Sequence, residues 1–114
     1  VAASSVNHLD VLWDVLRPAP VWEAFQAAWT AQGGFPKVLG LDVAGTVVAV
    51  GAGVSRAAVG SEVWGFNARA CAYDGRVLGG ISGHTWAQLV AVPEDMVGLK
   101  PRNLNFTEAG SLPL

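Results

Sequence analysis

F-P-K-V-L-G-L-D-V-A-G-T-V-V-A-V-G-A-G-V, residues Phe35 to Val54, is the longest apolar run in the chain and is bounded by turn residues at both ends. Pro36 fixes its own φ and biases Phe35 toward an extended backbone. Gly40 permits a sharp change of direction, and Val43 to Val50 is rich in β-branched side chains with glycine beyond. The run therefore predicts a turn, a buried strand over Val43 to Val50 and a second turn. Gly45 lies inside that strand with no side chain to pack, so it marks a bulge, a barrel bend or a close approach of another backbone or a ligand.

Upstream, Val1 to Asn7 reads as the end of an edge strand, and His8 to Leu16 places Leu9, Leu12, Trp13 and Leu16 on one helical face. Asn7 fits the N-cap of that helix, with Asp10 three residues later favoured by the helix dipole. Pro18 and Pro20 end it, and Val21 to Gln32 predicts a second helix whose Trp and Phe stripe reads as packing, closed by Gly33-Gly34. Downstream, Gly51 to Val59 is a connection, and the turn at Val59-Gly60-Ser61 launches a short strand over Glu62 to Phe66. Asn67 to Gly83, with four glycines and few apolar residues, predicts a mobile loop. The alternation in Trp86 to Val92 predicts a sheet strand closed by Pro93, and Met96 to Leu99 a last short strand. Asn105-Phe-Thr-Glu108 has the spacing of a capping box that opens a helix.

Composition bounds the function. The 114 residues suffice for one domain, and domains of this size bury roughly two-thirds of their chain surface. With 52% hydrophobic and 14% charged residues, and five tryptophans, the chain is apolar for a free-standing domain, so a further part of the protein is expected to cover some of that surface. A net charge of −2 without a basic block argues against nucleic acid and against an anionic membrane surface. No uninterrupted apolar run approaches the roughly 20 residues of a spanning helix. Cys71 is the only cysteine, which excludes an internal disulfide and a cysteine-based zinc cluster and fits a reducing, intracellular compartment. A start at V-A-A-S-S without Met and a stop just after a helix start lead us to expect a fragment of a longer protein.

Five motifs in order carry a family resemblance. The run P-x-V-L-G-x-D-x-A-G-x-V-x-x-V-G from Pro36 to Gly51 is joined by S-V-N-H-L-D at Ser5 to Asp10 and V-G-S-E-V-W-G-F at Val59 to Phe66. T-W-A-Q-L-V-A-V-P-E follows at Thr85 to Glu94, and L-K-P-R-N-L-N-F-T-E-A-G-S-L-P-L at Leu99 to Leu114. Together they resemble the N-terminal GroES-like, or alcohol dehydrogenase-like, domain of medium-chain dehydrogenases and reductases, in the zinc-free quinone oxidoreductase branch. The resemblance implies a mainly β fold, a partly open barrel with short peripheral helices. It implies that residues 1–114 are the substrate-side domain of a two-domain enzyme, incomplete at both ends, whose Rossmann cofactor domain follows. The implied activity is NADPH-dependent reduction of quinones or other α,β-unsaturated carbonyls by hydride transfer without zinc, with this fragment alone inactive. A cytoplasmic location is expected, a mitochondrial one stays open, and homodimers would form through the missing domain. The alternative is a non-catalytic relative, or one of the reticulon-interacting mitochondrial type, acting as a protein-interaction module.

Gly51-Ala-Gly53 follows a strand but is not read as a dinucleotide loop. Arg56 takes the third small-residue position, and the chain reaches Gly60 and a new strand before a phosphate-binding helix could form. Catalytic zinc needs about three N, S or O ligands. Zinc-dependent relatives carry a Cys where this chain has Asn7 and G-H-E where it has Gly40-Leu41-Asp42, so no metal site is expected. By the resemblance, Asn7 and Asp10 face the cleft, the Asn7 amide near the nicotinamide and the substrate carbonyl, with Asp10 orienting the local turn; both also fit helix capping alone. His8 could donate a proton there, or be an exposed residue at a helix start. Asp42, between Leu41 and Val43 at the start of a buried strand, must find hydrogen-bond partners, and a structural role is expected. His84 stands where relatives mostly have glycine. Cys71, with no base nearby in sequence, is read as inert.

Overall fold

The computed structural model describes residues 1–6, 38–67 and 84–113. The architecture is mainly β. Strands β1 (Asp42–Thr46), β2 (Glu62–Phe66) and β3 (Val97–Leu99) form an open antiparallel sheet in the order β1-β2-β3, followed by the short helix α1 (Phe106–Gly110). β1 and β2 pair from Asp42 opposite Phe66 to Thr46 opposite Glu62, and β2 pairs with β3 from Val63 opposite Leu99 to Gly65 opposite Val97. Among the described residues Leu41, Val43, Ala44, Val63 and Ala109 are the buried apolar side chains, and they pack between β1, its neighbour β2 and the helix.

The strand expected over Val43 to Val50 begins one residue earlier and is shorter. Its ladder continues past Thr46 only through Val47, whose N–H donates to Ser61 O at 2.9 Å and whose carbonyl accepts from Gly60 N at 2.8 Å. There the opposite segment turns, with Gly60 at φ +89°, and among the described residues no strand pairs with Val48 and Val50, which are exposed. Gly45 does mark a close approach of another backbone: a Cβ there would lie 3.1 Å from Val1 Cα and 3.3 Å from Ala2 N. That second backbone is the N-terminal segment, which shrinks from the expected edge strand to a single antiparallel bridge, Ala3 opposite Ala44.

The sheet strand expected over Trp86 to Val92 is absent, and the segment bends at Trp86–Gln88. Alternating apolar residues make a strand only where a neighbouring edge accepts their ladder. Here the backbone amides at the start of the segment are drawn elsewhere, Thr85 N to Gly40 O at 3.3 Å and Trp86 N to Leu39 O at 3.0 Å. The last strand is correct in place, but Met96 belongs to a 3₁₀ turn over Glu94–Met96, and β3 begins at Val97.

The capping box forms as read. Asn105 Oδ1 accepts from Glu108 N at 2.9 Å, and Glu108 Oε2 accepts from Asn105 N at 2.8 Å. Lys100 ties the sheet to this helix start: its ammonium lies 3.1 Å from a Glu62 carboxylate oxygen, donates to Pro101 O at 3.2 Å and Leu104 O at 2.5 Å, and sits 5.3 Å from the Phe106 ring centre. Gly110 of α1 abuts Ala3, where an added Cβ would lie 3.1 Å from the alanine's own Cβ. Ala3 is thus held between β1 and the helix. The two helices read over His8 to Leu16 and Val21 to Gln32 lie outside the described residues, as does the Asn67 to Gly83 loop apart from Asn67 itself. Among the described residues no helix is long and apolar enough to cross a membrane.

Gly65, in the middle strand, has no room for a side chain: a Cβ would press on the Met96 carbonyl oxygen and lie 2.9 Å from Val97 Cα, both backbone atoms. Gly65→Ala is expected to lower stability by about 2 kcal/mol. Gly51→Ala, where nothing lies within 4 Å of the added carbon, serves as the matched control with an unchanged chemical-denaturation midpoint.

Candidate functional site

At the head of β1 lie the buried polar side chains found among the described residues. Asp42 and Thr85 are fully buried and Asn67 nearly so. Three separate segments meet there. Asn67, just beyond β2, donates its N–H to Leu41 O at 2.8 Å, and the Thr85 and Trp86 amides reach back to residues 40 and 39. Gly40 makes the junction tight: it sits at φ +90°, and a Cβ there would lie 2.5 Å from Thr85 Oγ1 and 2.7 Å from Trp86 Nε1. Only glycine fits a left-handed turn against which another residue's ring is laid.

The N-terminal segment is fastened to this cluster by side chains. Ser4 Oγ donates to Asp42 O at 2.6 Å and lies 3.0 Å from Thr85 Oγ1. Ser5 is held at both ends: its hydroxyl donates to Asp42 Oδ2, and its carbonyl accepts from Trp86 Nε1 at 3.0 Å. Ala2 N and Ala3 N both donate to Ala44 O, at 2.9 and 3.0 Å. A buried carboxylate is tolerated only with donors around it, and Ser5 is one of them.

The structure thus gives Asp42 the hydrogen-bonding role read from its position. It also brings in Ser4, Ser5, Thr85 and Trp86, which sequence reasoning had not placed together. The signal available was the pair Ser4-Ser5 ahead of an apolar run, too common a pattern to point anywhere alone. Asn7 and Asp10, with His8 and Cys71, lie outside the described residues. Leu41, at the place of the zinc-binding imidazole in the G-H-E motif, is packed in the core at 3% exposure. Among the described residues no three His, Cys, Asp or Glu side chains are grouped to hold a metal ion. His84, where the resemblance expects a glycine, adopts a left-handed backbone with φ at +62°.

The G-A-G turn closes with Val54 N donating to Gly51 O at 3.4 Å and with Gly53 at φ +82°. The next two amides point at an anion, but one of the chain's own: Ser55 N and Arg56 N donate to Glu94 Oε2 at 2.9 and 3.0 Å. No phosphate cradle is left there, which agrees with the reading of this turn as a plain connection. These two backbone bonds, Ser55 first, hold the Glu94 carboxyl below its ordinary 4.5, aided by the Arg56 charge and opposed by partial burial. The turn and Glu94 border an open apolar trough of about 470 Å³, lined among others by Val43, Val47, Val54, Val63 and Val92.

With this geometry in view, comparison places the chain. The alcohol dehydrogenase GroES-like domain family matches residues 1–102. The chain belongs to that family, within the medium-chain dehydrogenase/reductase superfamily. Two relatives are similar over 79 residues each: 2-methylene-furan-3-one reductase of Solanum lycopersicum, 46% identical, and the chloroplastic NADPH-dependent alkenal/one oxidoreductase of Arabidopsis thaliana, 40% identical. In both cases the match covers 69% of this chain and 19% of the relative, so the chain spans only a small part of the length of these proteins. No solved structure matches it.

Two outcomes follow from the local geometry. Glu94, ionised more readily folded than unfolded, contributes stability that is full above pH 4.5 and is lost as the pH falls through its lowered folded value. Glu94→Gln is therefore expected to be less stable than the natural protein at neutral pH, with the gap in urea midpoint closing on acidification. At residue 84, replacement by glycine relieves about 1 kcal/mol of left-handed strain and returns a similar amount through a looser unfolded chain, so stability stays within about 0.5 kcal/mol. His84→Val, branched at Cβ, is expected to cost about 1–2 kcal/mol in the same measurement.

Proposed function

We propose that the whole protein is an NADPH-dependent reductase of α,β-unsaturated carbonyl compounds, enones and alkenals first and quinones with them, working by hydride transfer without zinc. Residues 1–114 form its substrate-side domain, and a Rossmann domain beyond residue 114 holds the dinucleotide. The similarity to two oxidoreductases named for such substrates carries this reading. The first of those names describes a carbon–carbon double bond beside a ketone.

The residues present fit a division of labour between two domains. Ser55 and Arg56 amides, the one pair at a G-x-G turn, are taken up by Glu94, so the phosphates would be held elsewhere. NADPH, held by the cofactor domain, would supply a hydride for the β-carbon of the substrate, and this chain's part would be to meet the enolate charge at the carbonyl oxygen. The Asn7 amide N–H would stabilise that enolate oxygen as charge develops, and Asp10 would orient the turn that carries it. A proton taken up at the α-carbon completes the saturated carbonyl product. Leu41 is apolar and buried and Asn7 is an amide, which supports a site relying on hydrogen bonds rather than a Lewis acid. A homodimer formed through the cofactor domain, in the cytoplasm, belongs to the same reading.

The full-length protein is expected to oxidise NADPH when given a short-chain alkenal or an enone, followed at the nicotinamide absorbance, while residues 1–114 alone show no turnover. Asn7→Ala should lower kcat by about 10²-fold. Absence of NADPH oxidation with enones, alkenals and quinones alike, or a stoichiometric zinc whose removal abolishes turnover, would sink the reading.

A further inference from the structure

We propose that the apolar trough beside β1 is the seat of one more strand of this protein, made by the residues that precede Val1 in the whole chain. The inference goes beyond the reductase reading and does not depend on it. Its support is the course of the N-terminal segment, which from Ser5 back to Val1 runs antiparallel to two neighbours at once. On one side Ser4 Oγ donates to Asp42 O, and Ala3 pairs with Ala44. On the other the Trp86 indole reaches Ser5 O, Thr85 Oγ1 lies 3.0 Å from Ser4 Oγ, and Val1 N donates to Gln88 O at 2.7 Å. The segment is thus inserted between β1 and residues 85–88, and Val1 stands in the wall of the trough with Gly45 and Leu89.

Beyond Val1 the same two flanks continue. Along an antiparallel strand successive residues turn their N–H and C=O to opposite sides. Ala44 bonds toward the N-terminal segment and Val47 toward Gly60 and Ser61, so Thr46 and Val48 aim theirs to the side of the N-terminal segment. Across from them, residues 89–92 make no backbone hydrogen bond among the described residues. Both flanks are apolar: Val48, Val50 and Leu89 are exposed, and Val90 and Val92 also line the trough. These two stretches have strand composition without a ladder, and one strand laid between them supplies both ladders. A continuation antiparallel to β1 meets Val48 about two residues before Val1 and Val50 about four before it, so roughly five residues fill the trough, an ordinary strand length. A strand from a second copy would have to enter by the end that the backbone of Val1 already occupies. The two similar oxidoreductases extend far past the match, which takes up 19% of each, so proteins of this kind have chain to spare for such a strand.

The test uses the full-length protein. Amide hydrogen exchange over residues 48–50 and 89–92 is expected to be at least 100-fold slower than in an unstructured peptide of the same sequence. In a variant lacking the ten residues before Val1, that protection is lost while residues 62–66, in β2, keep theirs. A synthetic peptide of the ten residues then restores it in trans. Fast exchange over 48–50 and 89–92 in the intact protein overturns the proposal. So does protection that survives the deletion, which would assign the trough to a second copy or to another part of the chain. Should the shortened protein fail to fold, disulfide trapping decides: Val48→Cys, combined in turn with a cysteine one, two or three residues before Val1, is expected to crosslink in at least one pair under mild oxidation, and no crosslink in any pair overturns the proposal.

Discussion

A carboxylate placed at the first position of a buried strand costs on the order of several kcal/mol unless its surroundings are polar, and this constraint organises the head of the sheet. Asp42 is fully buried. To keep it there, the fold brings Ser5 from the N-terminal segment to its carboxylate, Ser4 to its carbonyl, and Thr85 alongside. Segments far apart in sequence, residues 1–6 and 84–86, are thereby fixed to the same strand end. Removing the carboxylate from its partners would leave an uncompensated buried charge, so cluster and sheet depend on each other.

Gly40 is the geometric counterpart of that electrostatic demand. Its left-handed turn lets the Trp86 indole lie where a side chain would stand, and the indole N–H then reaches the Ser5 carbonyl. His84 enters the same approach at positive φ, a shape more at home in glycine. The polar cluster is thus bounded by backbone in uncommon conformations, which persist only where surrounding contacts over-determine them. Below the cluster the sheet is ordinary: a hydrophobic strand pair, a short third strand and a capped helix.

Much of the local structure was legible. The capping box at Asn105 and Glu108 is a reciprocal pair of hydrogen bonds within four residues, so spacing alone identifies it. The strand at Glu62 was read with both ends correct because a turn with Gly60 sets its start. Gly45 was read as a close approach without its partner being known, and the partner is the N-terminal backbone. The family was legible too, since five motifs in order are a far more specific signal than any one of them. The strand expected over Trp86 to Val92 failed for a reason that periodicity does not contain: alternation states which faces are apolar, not whether an edge is available to pair with. Likewise Val48 to Val50 has strand composition but no ladder among the described residues, because the segment opposite has already turned away at Gly60.

What the sequence by itself determined is what depends on near neighbours and on residue chemistry: the mainly β class, the turns, the cap, the family, and the need of Asp42 for hydrogen-bond partners. What only the tertiary structure decided is which partners answer that need. Ser5 lies 37 residues from Asp42, and Trp86 lies 81 from Ser5. Contacts at such separations are selected by the joint closure of the sheet, the Gly40 turn and the helix against Ala3, and no local pattern of residues encodes that closure.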